Sequence, residues 1–159
     1  MRFIELLSPA RNLQCGIEAI SHGADAVYIG GPSFGARAAA GNSSEDIRQL
    51  CAYAHQFGAK VYVTMNTILY DDELDEAVRQ AWAMHEAGVD ALITQDLALI
   101  TMPSMPPIAI HASTQMDNRT AQQVEALWQA GFSQAVLARE LTLEQIAAIH
   151  EAVPQMPLE

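Results

Sequence analysis

Cysteine is scarce in this sequence. Its 159 residues include two, Cys15 and Cys51. That is too few for a disulfide framework, and no C-x-x-C pair or histidine at ligand spacing accompanies them, so no metal site is read from them. Two buried thiols in a reducing compartment are expected. Positive charge is scarce as well. Eight Lys and Arg stand against nineteen Asp and Glu, for a formal charge of -11. The basic footprint of a nucleic-acid binder is therefore missing from this stretch. No apolar run approaches the roughly 20 residues of a membrane span. The start, Met1 to Pro9, carries Glu5 within its apolar stretch and no cleavage-like segment, unlike a signal peptide. A cytoplasmic protein that meets no membrane is expected. A nucleophile elbow, an HExxH motif and a P-loop are all absent.

What is present is apolar and repetitive. Hydrophobic residues make up 50% of the chain, enough to bury a sizeable core. One phrase recurs, a helix ending in Gly followed by a short apolar run. It reads Gly23-Ala24-Asp25-Ala26-Val27-Tyr28-Ile29-Gly30, then Gly58 to Thr64, Gly88 to Thr94 and Gly131 to Leu137. Each Gly sits where a helix C-cap needs positive φ. Each run is continuous rather than alternating, which suits strands covered on both faces. Helical periodicity fills the stretches between, over 13–22, 43–57, 72–87, 120–130 and 142–153. Ser43-Ser44-Glu45-Asp46 and Thr142-Leu143-Glu144-Gln145 carry N-terminal capping signals. Strands are also expected at Phe3 to Leu7 and at Ile108 to His111, after Pro103, Pro106 and Pro107. The order is β-α six times over, with parallel pairing and right-handed crossovers. An open doubly wound sheet and a (β/α)8 barrel both remain, and the uniformity of the phrase leans toward the barrel.

In both architectures ligands meet the C-terminal ends of the strands. That rule selects Ser8 and Arg11 after the first strand, and Gly30, Gly31 and Arg37 in a glycine-rich loop after the second. It selects Asn66 after the third, Gln95 after the fourth, His111 and Gln115 at and after the fifth, and Arg139 and Glu140 after the sixth. The loop from Gly30 permits close backbone approach, with Arg37 as an anion clamp, or is a tight turn with a surface Arg. His111 is an acid–base or hydrogen-bonding candidate, since its ordinary pKa lies near neutrality, or a core-edge histidine. Arg139-Glu140 is an anchor with its orienter, or a rim ion pair. Trp82 and Trp128 are expected in the core. The acids from Asp71 to Glu76 form a solvated helix start rather than a metal site.

The segments Glu5-Leu6-Leu7-Ser8-Pro9-Ala10-Arg11, Gly23 to Gly31, Val63 to Leu69, Asp90 to Asp96, His111-Ala112-Ser113-Thr114-Gln115 and Val136 to Leu141 together resemble the collagenase-like peptidase family of unassigned catalytic type, peptidase U32. Within it the resemblance is strongest to large bacterial members linked to hydroxylation of a cytidine in 23S ribosomal RNA. The resemblance implies an α/β fold, a parallel (β/α) barrel of TIM type. It is incomplete here, with about six of eight βα units, so that residues 1–159 form the single N-terminal part of one barrel domain. It implies oxygen-independent hydroxylation of an RNA base or another aromatic ring by the full-length protein. It also implies an iron–sulfur cluster on cysteines beyond strand six, a region outside this sequence; neither Cys15 nor Cys51 matches those ligands. No cofactor or metal is expected within this chain. On this reading His111, Arg139 and Glu140 are the catalytic candidates, and Ser8, Arg11, Gly30, Gly31, Arg37, Asn66, Gln95 and Gln115 shape the substrate pocket. The family label offers a peptidase as an alternative. A non-catalytic binding or scaffold fragment is a third reading, and a homodimer covering the open barrel edges is expected.

Overall fold

A computed structural model of the chain describes residues 4–36 and 41–159. Strands and helices alternate as β1 (Leu7–Ala10), α1 (Leu13–Ser21), β2 (Ala26–Gly30), α2 (Ser44–Gln56), β3 (Lys60–Met65), α3 (Leu74–Ala87), β4 (Ala91–Thr94), α4 (Ala98–Thr101), β5 (Ala109–Ala112), α5 (Ala121–Ala130), β6 (Gln134–Ala135) and α6 (Leu143–Ala152). All neighbouring strands pair in parallel, and their spatial order is their sequence order. A doubly wound sheet reverses its order at a switch point; this one never does. The sheet curls into an incomplete barrel of TIM type. Its ladder continues past β6. Ala135 N–H donates to Pro157 O at 3.0 Å, Glu159 N–H donates to Ala135 O at 3.0 Å, and Leu158 bridges Ala135 in parallel.

Local chemistry places these elements. Ser43, Thr120 and Thr142 each accept a hydrogen bond from the backbone N–H three residues on and form reciprocal capping boxes, which satisfies otherwise orphaned donors. At the other end, Gly88 and Gly131 close α3 and α5 in the left-handed region, with φ of 92° and 105°, and Gly23 and Gly58 also have positive φ. Gly16 has a different task. A Cβ there would lie 2.6 Å from Leu50 Cδ1, so its absence lets α1 pack closely on α2.

Alternate strand residues face opposite ways. Val27, Ile29, Val61, Val63 and Leu92 point outward and are fully buried against Ile47, Leu50 and Ala54 of α2 and Ala77, Ala81 and Met84 of α3. Ile110 and Ala112 point outward under α5 and α6, against Val124, Leu127, Ile149 and Val153. The concave face carries Ala26, Tyr62, Ala91 and Ile93, with Leu7 and Tyr28 packed beside them.

Several sequence expectations shift. The first strand falls at Leu7–Ala10, later than Phe3 to Leu7. Leu6 prepares it, accepting from Asp25 N–H and Ala26 N–H through its carbonyl while its own N–H donates to Asp25 Oδ2. The ladder then continues through Pro9, which an edge strand tolerates because a missing N–H costs it no second partner. Ser8 therefore lies inside β1, paired with Val27, rather than after it. The fifth strand extends to Ala112 and encloses His111. Cys15 is exposed and only Cys51 is buried. Trp82 and Trp128 are 41% and 40% exposed rather than core residues, and Trp82 Nε1–H reaches Ser104 O at 2.8 Å.

Candidate functional site

At the C-terminal ends of the strands, much of the polar set is engaged in joining loops. Asn66 Oδ1 accepts from Ala36 N–H at 3.0 Å, and Gln95 Nε2–H donates to Asn66 O at 2.9 Å. Two buried asparagines that sequence reasoning passed over do the same work. Asn42 Nδ2–H donates to both Arg11 O and Gly30 O, tying the ends of β1 and β2. Asn118 Nδ2–H donates to Ser113 O and Val136 O, tying the ends of β5 and β6. Their signal was an amide side chain beside the helix caps Ser43 and Thr120, where a loop must close. Asp96 accepts from Leu69 N–H at 2.8 Å and from Ala98 N–H at 2.9 Å.

The glycine loop is partly structural. A Cβ at Gly31 would lie 2.8 Å from Gln80 Nε2 and 3.2 Å from Val63 Cγ1, so this glycine makes room for α3 and β3 rather than for a ligand. A Cβ added at Gly30 would meet only Thr64 Oγ1 within 4 Å among the described residues, at 3.9 Å. Arg37 lies outside the described residues.

Gln115, Arg139 and Glu140 do come together. With Thr114, Asp117 and Ala138 they line an open cavity of about 290 Å³ at the ends of β5 and β6. The sequence pairing of Arg139 with Glu140 is not what holds it. Glu140 faces Arg119 Nη2 at 3.8 Å, and Arg119 also bonds Asp117. Arg139 is exposed and has no ion-pair partner among the described residues. Ser8 and Arg11 lie across the sheet at β1 and do not line this cavity.

His111 belongs to neither the rim nor the cavity. It is the third residue of β5, opposite Ile93 of β4 and Gln134 of β6, and its side chain lies on the concave face. Its ring meets the Tyr62 ring edge-on, with centroids 4.7 Å apart. Tyr62 O–H donates to Glu5 Oε1 at 2.8 Å, and Lys60 Nζ donates to Glu5 Oε2 at 2.8 Å. Burial is the main influence on the imidazole, pushing its pKa down to about 4, with Glu5 opposing and Lys60 reinforcing. At neutral pH His111 is uncharged. Burial also raises the Tyr62 hydroxyl far above its usual range, helped by the bond to Glu5.

The cysteines do not suit an iron–sulfur cluster, which four thiolates hold together. Cys15 is exposed on α1, while Cys51 is buried on α2 with its thiol pushed up to about 12 by burial. Among the described residues no three His, Cys, Asp or Glu gather at metal-binding distance.

Residues 11–159 match the model of Peptidase family U32. The chain belongs to that family. It is 56% identical over 149 residues to a 23S rRNA 5-hydroxycytidine synthase of Escherichia coli (strain K12), covering 94% of this chain and 23% of that protein. It is 36% identical over 158 residues to tRNA hydroxylation protein P of the same strain, covering 98% of this chain and 35% of that protein. Among solved structures it superposes on a U32 peptidase with a TM-score of 0.75 and 14% identity, over 99% of this chain and 69% of that one. This U32 chain thus spans about a quarter to a third of the two curated relatives named. Among its described residues, no helix is long and apolar enough to cross a membrane.

Proposed function

We propose that this chain is the N-terminal part of a barrel whose full-length protein hydroxylates an RNA base without molecular oxygen, with a cytidine of 23S rRNA as the substrate. The observation that carries this reading is the 56% identity to a 23S rRNA 5-hydroxycytidine synthase over nearly the whole chain. In the same proposal the remaining two βα units and the cluster-binding cysteines lie in the rest of the protein. The cluster supplies redox chemistry there, and this chain shapes one side of the substrate pocket. Arg139, Gln115 and Glu140 face that side at the strand ends, while His111 lies buried on the concave face.

Peptidase chemistry has weaker support. It needs a nucleophile activated by a neighbouring base, whereas the buried Cys51 thiol is held protonated and the exposed Cys15 thiol makes no hydrogen bond to a histidine among the described residues. The charge of -11 supports a reading in which phosphate contacts come from elsewhere in the full-length protein. In isolation, the free side of β1 and the Pro157–Glu159 segment leave sheet edges that a second copy covers. Light scattering of the isolated chain is expected to give a dimer, and a strict monomer removes that part of the proposal.

The test of the main reading is deletion of the gene followed by nucleoside mass spectrometry of the 23S rRNA. Loss of 5-hydroxycytidine, restored by the intact gene, is the expected result. Unchanged 5-hydroxycytidine overturns the reading.

A further inference from the structure

Unpaired positive charge is rare among the described residues, and it stands at one end of the sheet. Arg48, Lys60, Arg79 and Arg119 each pair with a carboxylate. Arg11 and Arg139 have no such partner among the described residues. Both follow the C-terminal ends of strands, Arg11 directly after β1 and Arg139 in the loop after β6. Arg139 lines the open cavity of about 290 Å³ at the ends of β5 and β6. The carboxylates of that cavity are not its partners. Asp117 and Glu140 both face the guanidinium of Arg119. With Arg139 the local charges balance, although the chain as a whole carries -11. The side-chain amide of Gln115, in the same lining, also makes no hydrogen bond among the described residues.

The loops that carry these groups are fixed from beneath. Asn118 is 1% exposed, donates from Nδ2 to Ser113 O and Val136 O, and accepts from Ala138 N–H at 3.1 Å through its carbonyl. Asp117 has a φ of 57°, a left-handed conformation that aspartate tolerates better than most residues. Its N–H donates to Thr114 O at 3.0 Å, and its carboxylate holds Arg119. The β5 and β6 loops thus form one wall, and its backbone needs no ordering when a ligand arrives. The unengaged groups on that wall are rich in donors. A guanidinium has five N–H groups and no acceptor, and a glutamine amide adds two more. Their complement is a negative group with several acceptor oxygens. A phosphate supplies both and matches the guanidinium fork bidentately. Because the cavity is open, a phosphodiester can enter it while its chain continues on both sides.

We propose that Arg139 and Gln115, in the cavity at the ends of β5 and β6, bind one phosphodiester of an RNA strand, with Asn118 as the residue that positions them. The inference rests on the RNA reading above and refines it. One phosphate contact lies in this chain, and the others come from elsewhere in the full-length protein. Arg119 occupies Glu140, which leaves Arg139 available to the strand.

The salt dependence of RNA binding by the full-length protein tests this, with a single-stranded fragment of 23S rRNA as the probe. Each phosphate neutralised on a single strand contributes about 0.7 to the slope of log affinity against log salt. Arg139→Gln should lower that slope by about 0.7 and weaken binding about tenfold at low salt, while Arg139→Lys keeps the slope. Arg79→Gln changes the net charge equally but removes a cation already paired with Glu76 on α3, and it should leave the slope unchanged. Arg139 is exposed and unpaired, so its substitution removes no contact that the fold uses. A slope unmoved by Arg139→Gln, a slope lowered as far by Arg139→Lys or Arg79→Gln, or no binding by the unsubstituted protein overturns the inference. Inorganic phosphate is the second probe. If calorimetry shows it binding through Arg139 while the RNA slope is unmoved, the anion is a free one and the phosphodiester assignment falls. If gene deletion abolishes the modification while Arg139→Gln leaves the slope unmoved, the inference fails and the RNA reading stands. If the slope falls as expected while deletion leaves the rRNA unchanged, the phosphate site stands and only the rRNA assignment falls.

Discussion

On the outer face of the sheet, Val27, Ile29, Val61, Val63 and Leu92 are wholly buried under helices. One residue along the same strands, the concave face carries Ala26, Tyr62, Ala91, Ile93 and His111. The outer face is aliphatic and interdigitated with α2 and α3, and its job is cohesion. The concave face mixes small, aromatic and titratable groups, and it has a buried nitrogen with no partner. Two adjacent residues in one strand thus meet different demands: volume outside, hydrogen bonding and charge state inside. Polar groups sit where packing by helices does not already demand hydrocarbon.

The comparison breaks most readily on the outer side. Leu92→Ala removes a fully buried side chain from the main core and should cost about 2–5 kcal/mol in urea unfolding. A cost near zero would mean that the helices do not pack on the sheet as described. The next effect belongs to the concave face and appears as pH dependence. His111 titrates near 4 when folded and near 6.5 when unfolded, so the unfolded chain takes up the proton first as pH falls. Its contribution is fully present above 6.5 and is lost as pH drops toward 4, with a slope of at most about 1.4 kcal/mol per pH unit. Comparing His111→Gln with the parent across that window isolates the slope, and identical profiles would place His111 in water. A smaller change is expected from Tyr62→Phe. The ring contact with His111 stays, the hydrogen bond to Glu5 goes, and Lys60 still holds Glu5. The expected loss is about 1–2 kcal/mol. Smallest of all is Glu140→Gln at the strand ends. Both Glu140 and its partner Arg119 are well exposed, and the thermal midpoint should move by the equivalent of less than about 0.5 kcal/mol.

The repeated glycine phrase makes most of the architecture readable. Gly23, Gly58, Gly88 and Gly131 all have the positive φ that a helix terminus asks for, and β2, β3, β4 and β6 follow them in order. Ser43 and Thr142 cap their helices as their neighbours suggest. The site is less readable. Proximity to a strand end does not guarantee exposure to ligand: Asn66 and Gln95 are engaged in bracing loops, and His111 sits within its strand. The grouping of Glu5, Lys60 and Tyr62 is invisible in the sequence because 55 and more residues separate Glu5 from its partners. No periodicity reports a contact of that span.

Sequence alone determined the α/β class, the order of the six strands and the ends of most helices, while the one-turn α4 (Ala98–Thr101) lies outside its five periodic stretches. These follow from interactions within a few residues, where side-chain spacing and φ preference act directly. Tertiary structure alone decided which residues share a face, which asparagines close the loops, and that one histidine lies buried against Tyr62 instead of at the rim. Those outcomes depend on register, and a shift of one residue turns a strand's side chains to the other side of the sheet.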